Sequence, residues 1–186
     1  MNVMDALAHR RSIKKFSDRP VTRAQVERLL AAAVLAPNHR LTQPWRFYVL
    51  GPKARRAYGE VLGARKAQKV EEPAAAARVR EKVAAEQAAL PCMIAVAMRE
   101  DPNPEIREED FGACMMAVDN LLLAAVDEGL GTHVKTGGVM QDPDARAAVG
   151  VAADERIVAV VNVGVPDEVP VPKPRLPAAG LTHWTE

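Results

Sequence analysis

The stretch LLAAAVLAPNHRLTQPWRFYVL, residues 29–50, carries a helix end, a proline-framed loop and a strand start in one run. Just upstream, Thr22 and Gln25 have the spacing of a capping box, and Val26, Leu29, Leu30 and Ala33 recur on one helical face. The sequence therefore predicts a helix from Thr22. Pro37 stops it, because the residue before a proline avoids helical geometry. Arg46 to Leu50, RFYVL, reads as a strand closed by Gly51-Pro52. Between helix and strand, Asn38, His39 and Gln43 put amide, imidazole and carboxamide groups on one loop. Loops held by rigid elements are where binding residues concentrate. The plainer alternative is a connection whose prolines only end one element and start the next, with Trp45 in the core.

Working outward, Val3 to Ala8 reads as a short helix and Lys53 to Leu62 as another. Residues 64–89, rich in Ala, Glu, Lys and Arg and broken at Pro73, predict a solvated helical hairpin or flap, with Arg65, Lys66 and Lys69 on its wet face. MIAVAM (93–98) is a buried strand and Asp101 to Pro104 a loop. Phe111 to Glu128 is a helix apolar nearly all round, which demands burial on most sides and makes a subunit interface a plausible cover. Gly129-Leu130-Gly131 ends it. Pro143 to Val149 is a short helix and Ile157 to Val163 a strong strand. Residues 165–186 form a proline-rich extension with little core of its own. The whole is one domain, 1–186, of layered α/β or α+β type.

Composition removes several classes. A net charge of +1 on 186 residues gives no global field for nucleic acid or an anionic membrane, so any anion site is local. No apolar run approaches the ~18 residues of a membrane helix. Cys92 and Cys114 sit in apolar runs and read as reduced core thiols, which suits a cytoplasmic location. The scattered histidines contain no His-Glu-x-x-His, so no metal is expected. Neither Ser12 nor Ser17 lies in a nucleophile elbow.

Three further groups bear on chemistry. Arg10-Arg11-Ser12, followed by Lys14, concentrates cations and a hydroxyl just beyond a helix end. Arginine's planar fork suits phosphate. A solvated helix C-terminus, where cations also favour the dipole, is the alternative. GLGTHVKTGG, residues 129–138, nearly matches a phosphate-binding loop, but Val134 replaces a glycine that no β-branched residue imitates cheaply. It reads instead as a glycine-rich polar loop bearing Lys135 and Thr136, where Gly137-Gly138 would admit a flat ligand. Lys173 and Arg175 in the extension are either a solvated linker or a second pair of phosphate cations.

In order and spacing, RRSIKKF (10–16), the 29–50 stretch, DEGLGTHVKTGG (127–138) and IVAVVNVGVP (157–166) resemble the nitroreductase superfamily of flavin mononucleotide (FMN) proteins. The resemblance implies an α+β fold with a central mixed sheet flanked by helices, in an intertwined homodimer. It implies non-covalent FMN at the dimer interface, with NAD(P)H as electron donor and a small flat acceptor such as a nitroaromatic or quinone. Carried over by position, Arg10, Arg11, Ser12 and Lys14 would hold the phosphate, ribityl and pyrimidine end. Leu35, Pro37, Asn38, His39 and Gln43 would come from the other subunit. Val134, Lys135, Thr136 and Gly137 would line the ring, and Lys173 and Arg175 match the tail cations of larger members. The resemblance implies no catalytic side chain, because the cofactor carries the chemistry; Lys14 would act electrostatically. Asn38 and Leu41 stand where many relatives carry Ser and Asn, and the large substrate-capping helices of bigger members are reduced to 64–89. Relatives also include dehydrogenases, a dehalogenase and a flavin-fragmenting enzyme; a non-enzymatic flavin holder is a further alternative.

Overall fold

The computed structural model describes residues 1–185. Four strands form one sheet: β1 (Trp45–Val49), β2 (Cys92–Arg99), β3 (Gly131–Lys135) and β4 (Glu155–Gly164), in the order β1-β2-β4-β3. The helices are α1 (Val3–His9), α2 (Arg23–Ala33), α3 (Pro52–Ala67), α4 (Pro73–Ala88), α5 (Pro104–Asp127) and α6 (Pro143–Val149). This is the α+β class expected from sequence. The expected mixed character is slight, because every strand pair is antiparallel. Connectivity explains this. The α3–α4 hairpin returns the chain to the end of β1 that it left, so β2 runs back alongside. The single helix α5 makes β3 point the same way as β2, but β4 lies between them. Parallel pairing survives only as an isolated bridge from Ser12 to Thr132.

The sheet is covered on both faces. Ile94, Val96 and Met98 of β2 and Val161 and Val163 of β4 pack on Val26, Leu29 and Ala33 of α2 and on Ala117 and Leu121 of α5. On the opposite face Met93, Ala95 and Val160 meet Tyr58 of α3 and Ala145 and Val149 of α6. That double burial is why MIAVAM is continuously apolar. Both cysteines are free and buried, and desolvation pushes their thiols up to about 11 at Cys92 and about 12 at Cys114.

Local signals account for most boundaries. The Thr22–Gln25 capping box forms as read. The helix stops at Ala33, before Pro37, with Val34 as its cap. Pro73 opens α4 rather than merely breaking a helix, with Glu72 accepting from the N–H groups of Ala74 and Ala75. Helix α5 starts at Pro104, seven residues before Phe111, with Asn103 as its cap. The loop read over Asp101 to Pro104 holds as far as that cap, and it is the helix start, read at Phe111, that is corrected. Most of the apolar surface of α5 is covered within this one chain, leaving Phe111 and Met116 about two-fifths exposed.

Two sequence readings are overturned. Residues 129–138 are not a loop throughout, because β3 occupies 131–135. The 64–89 flap is also part of a larger hairpin with a close-packed seam. A side-chain carbon added at Gly59 would lie 2.9 Å from Cα of Ala84, and one at Gly63 would lie 2.9 Å from Cα and O of Arg80. Only the outer faces of the hairpin are wet.

Candidate functional site

The segment after α1 is a strap along the free edge of β3. Ile13 N–H donates to the Thr132 carbonyl at 2.8 Å, and Ile13 fills the space where Gly131 would carry a side chain. The chain beyond β4 runs beside this strap. Ser17 N–H donates to Val165 O at 2.9 Å and Asp167 N–H to Lys15 O at 3.1 Å. Strap and extension enclose a cleft of about 740 Å³, lined among others by Arg10, Arg11, Ser12, Lys14, Lys173 and Arg175. All six were singled out from the sequence, and the fold brings them together.

The electrostatics of this cleft are local, as the near-neutral chain requires. Lys15 pairs with Glu168 at 2.6 Å. Among the described residues, Arg10, Lys14, Lys173 and Arg175 have no carboxylate within ion-pairing distance. Arg11 behaves differently. Its guanidinium turns back and donates to the carbonyls of Ala8 and Arg10, both at 2.7 Å, so it braces the end of α1. Its Nε is buried without a partner. Arg175 makes only long 3.4 Å contacts with carbonyls of its own segment, leaving it free to turn to an anion.

At the far end of β3, alternation puts His133 and Lys135 on the face toward α4. Lys135 Nζ donates to Gln87 Oε1 at 2.9 Å. Its ammonium is pushed below its usual value by burial first and then by the charge of Lys66. His133 stands opposite Asn162, whose buried Oδ1 has no partner. Burial first, then the charges of Lys135 and Lys14, hold the imidazole below its usual range. Gly137 takes φ +137°, with open space where a side chain would be. Thr136, Gly137 and Gly138 are exposed, and among the described residues their N–H groups donate to no backbone carbonyl. Val134 packs its side chain toward the core on the other face.

The 35–43 loop lies elsewhere, against α5. Asn38 Oδ1 accepts from the Gln43 N–H at 2.6 Å, and its Nδ2 donates to Thr42 Oγ1 at 3.0 Å. Thr42 donates to the buried Asp110 at 2.5 Å, and His39 pairs with Glu109 at 2.9 Å. Arg40, Leu41 and Gln43 all have left-handed φ, at +63°, +51° and +45°. Such backbone costs non-glycine residues about 1 kcal/mol each and clusters at ligand sites. Leu35 is 79% exposed, and neither it nor Pro37, Asn38, His39 and Gln43 lines the cleft of the same chain. The Asn38 carboxamide is occupied within the loop, while the Gln43 side chain is exposed.

Sequence reasoning missed His133, Gln87 and Asp110. The strand period would have exposed His133, since it lies two residues from Lys135, but reading the segment as a loop hid that period. Gln87 and Asp110 act through contacts remote in sequence, for which no local signal exists.

The chain belongs to the nitroreductase family, whose model matches residues 7–165. It is 33% identical over 174 residues to the Bacillus subtilis protein named "Putative NAD(P)H nitroreductase YfhC", covering 93% of this chain and 89% of that one. It is also 33% identical over 190 residues to the 5,6-dimethylbenzimidazole synthase of Rhodospirillum rubrum, covering 91% and 85%. A nitroreductase-like family protein from Bacillus cereus superposes with a TM-score of 0.85 at 28% identity, over 100% of this chain and 97% of the other.

Proposed function

We propose that this protein is an FMN-dependent oxidoreductase that takes electrons from NAD(P)H and passes them to a small flat acceptor, such as a nitroaromatic or a quinone. One observation carries the reading. Four cations with no ion-pair partner among the described residues, Arg10, Lys14, Lys173 and Arg175, converge in a cleft beside the strand that leads into the exposed Thr136–Gly138 segment. That donor set fits FMN, a dianionic phosphate on a flat ring. Arg10, Ser12, Lys173 and Arg175 would hold the phosphate. Lys14 would lie where reduction builds negative charge on the ring, and a fixed cation there favours the reduced form. Thr136 and Gly137 would offer backbone N–H groups to the ring edge. When bound, FMN supplies the hydride chemistry, so no side chain here needs to be a nucleophile or a general acid.

The active form in this reading is a cytoplasmic homodimer. The 35–43 loop would complete the cleft of the partner copy, because it cannot reach its own. Its exposed Leu35 and Leu41 support this, as do Val3, Met4 and Leu7 of α1 and Val171, Leu176 and Trp184 of the extension, all left uncovered by this chain. No helix among the described residues is long and apolar enough to cross a membrane.

The test is anaerobic addition of NADH or NADPH to the flavin-loaded protein. Either donor should bleach the visible flavin absorbance, and a nitroaromatic or quinone should restore it. Protein that holds FMN but stays yellow with both donors is a flavin holder, and the enzyme reading then fails. A second reading, favoured by the similarity to the Rhodospirillum rubrum synthase, is fragmentation of the flavin itself. It would appear as irreversible loss of the flavin spectrum with a dimethylbenzimidazole product.

A further inference from the structure

The last turn of α3 carries Arg65 and Lys66 and ends beside the loop that follows β3. A side-chain carbon placed on Gly138 would sit 3.5 Å from Nη2 of Arg65. Lys66 is near enough to Lys135 for its charge to be felt there. Lys135 is tethered only to the neutral carboxamide of Gln87, at 2.9 Å. Among the described residues, none of these three cations has a carboxylate within ion-pairing distance. Glu86, the acid that acts on Lys135 from further off, also faces Lys82 at 4.0 Å.

A helix C-terminus accounts for cations in the last turn of α3. It does not account for Lys135, which comes from a strand and is partly buried. Burial beside a second cation disfavours the charged form of Lys135, and an anion bound in the site would restore it. Beside the three cations lie the exposed Gly138, whose N–H donates to no backbone carbonyl among the described residues, and the open space at Gly137. Lys14, in the wall of the cleft, and Lys135 both act on His133, so this cluster adjoins the cleft through one residue.

We propose that Arg65, Lys66 and Lys135, with the N–H group of Gly138, form a phosphate subsite for the pyridine-nucleotide donor. The inference rests on the oxidoreductase reading above and adds the donor's recognition to it. A nucleotide can bring either its pyrophosphate, common to NADH and NADPH, or the 2′-phosphate of NADPH. The 2′-phosphate is a dianionic monoester and matches a cluster of three cations better than singly charged pyrophosphate oxygens do.

The experiment is calorimetric titration of the flavin-loaded protein with two redox-inert probes, ADP-ribose and 2′-phospho-ADP-ribose. It is run on the natural chain and on Arg65→Ala, Lys66→Ala and the charge-conserving Lys66→Arg. Both positions are exposed, so the fold should tolerate the changes. The natural chain should bind the 2′-phosphorylated probe about tenfold tighter, and each alanine variant should lose about fivefold of that advantage. Lys66→Arg should retain it, with FMN content per chain equal throughout. Equal losses for both probes would assign the subsite to the pyrophosphate. Unchanged affinities in both alanine variants would overturn the subsite. A natural chain that holds no flavin would instead defeat the reading beneath it, and the same titrations on the flavin-free protein would still decide the subsite.

Discussion

Replacing Arg10 by alanine is expected to weaken FMN binding about thirtyfold, or roughly 2 kcal/mol, the scale of a charged hydrogen bond lost to a desolvated phosphate. The position suits such a test. Arg10 caps α1 through its backbone, whose N–H donates to the Ala6 carbonyl at 2.9 Å, and alanine keeps that bond. Its side chain makes no hydrogen bond or ion pair within the described chain, so removing it should cost the fold little. Arg11 offers no such separation, because its guanidinium holds the Ala8 and Arg10 carbonyls. Fluorescence titration of the flavin-free variant measures the loss. An affinity equal to that of the natural chain would remove Arg10 from the site.

Gly63→Val should destabilise the fold by about 3 kcal/mol, the upper range for overpacking a close contact. An added Cβ would meet Cα and O of Arg80, which are backbone atoms of α4 and cannot rotate away as a side chain can. The α3–α4 seam must therefore open. For a chain of this size the cost corresponds to a melting point lower by roughly 6–12 °C. The seam also carries Gln87, so opening it should loosen Lys135. Gly51→Val, at a glycine with open space where a side chain would go, is the control. Equal melting points for Gly63→Val and Gly51→Val would contradict the packing account.

The sequence was legible where physics is local. The capping box at Thr22, the proline-started helix at Pro143 and the apolar strands β2 and β4 announce themselves through neighbours a few residues apart. So did the cation cluster at Arg10, and the fold adds Lys173 and Arg175 to it across the cleft. Legibility failed where the cause lies far along the chain. Gly131 is glycine because Ile13 fills its side-chain space, yet in sequence it looks like a loop residue. The first turns of α5 went unassigned because Glu105, Glu108, Glu109 and Asp110 interrupt the apolar period. There Asp110 and Glu109 serve to brace the 38–42 loop. The left-handed backbone at Arg40, Leu41 and Gln43 carries no glycine to mark it. The tether of Lys135 to Gln87 joins two elements that nothing local connects.

The central claim is an FMN site shared between two copies of this chain. Size-exclusion chromatography with in-line light scattering and visible absorbance, on protein purified with FMN present, tests it most directly. The expected result is a single yellow species with the mass of two chains and about one FMN per chain, released intact on denaturation. A colourless protein that FMN cannot convert, or a stable monomer that carries its flavin alone, would contradict the claim.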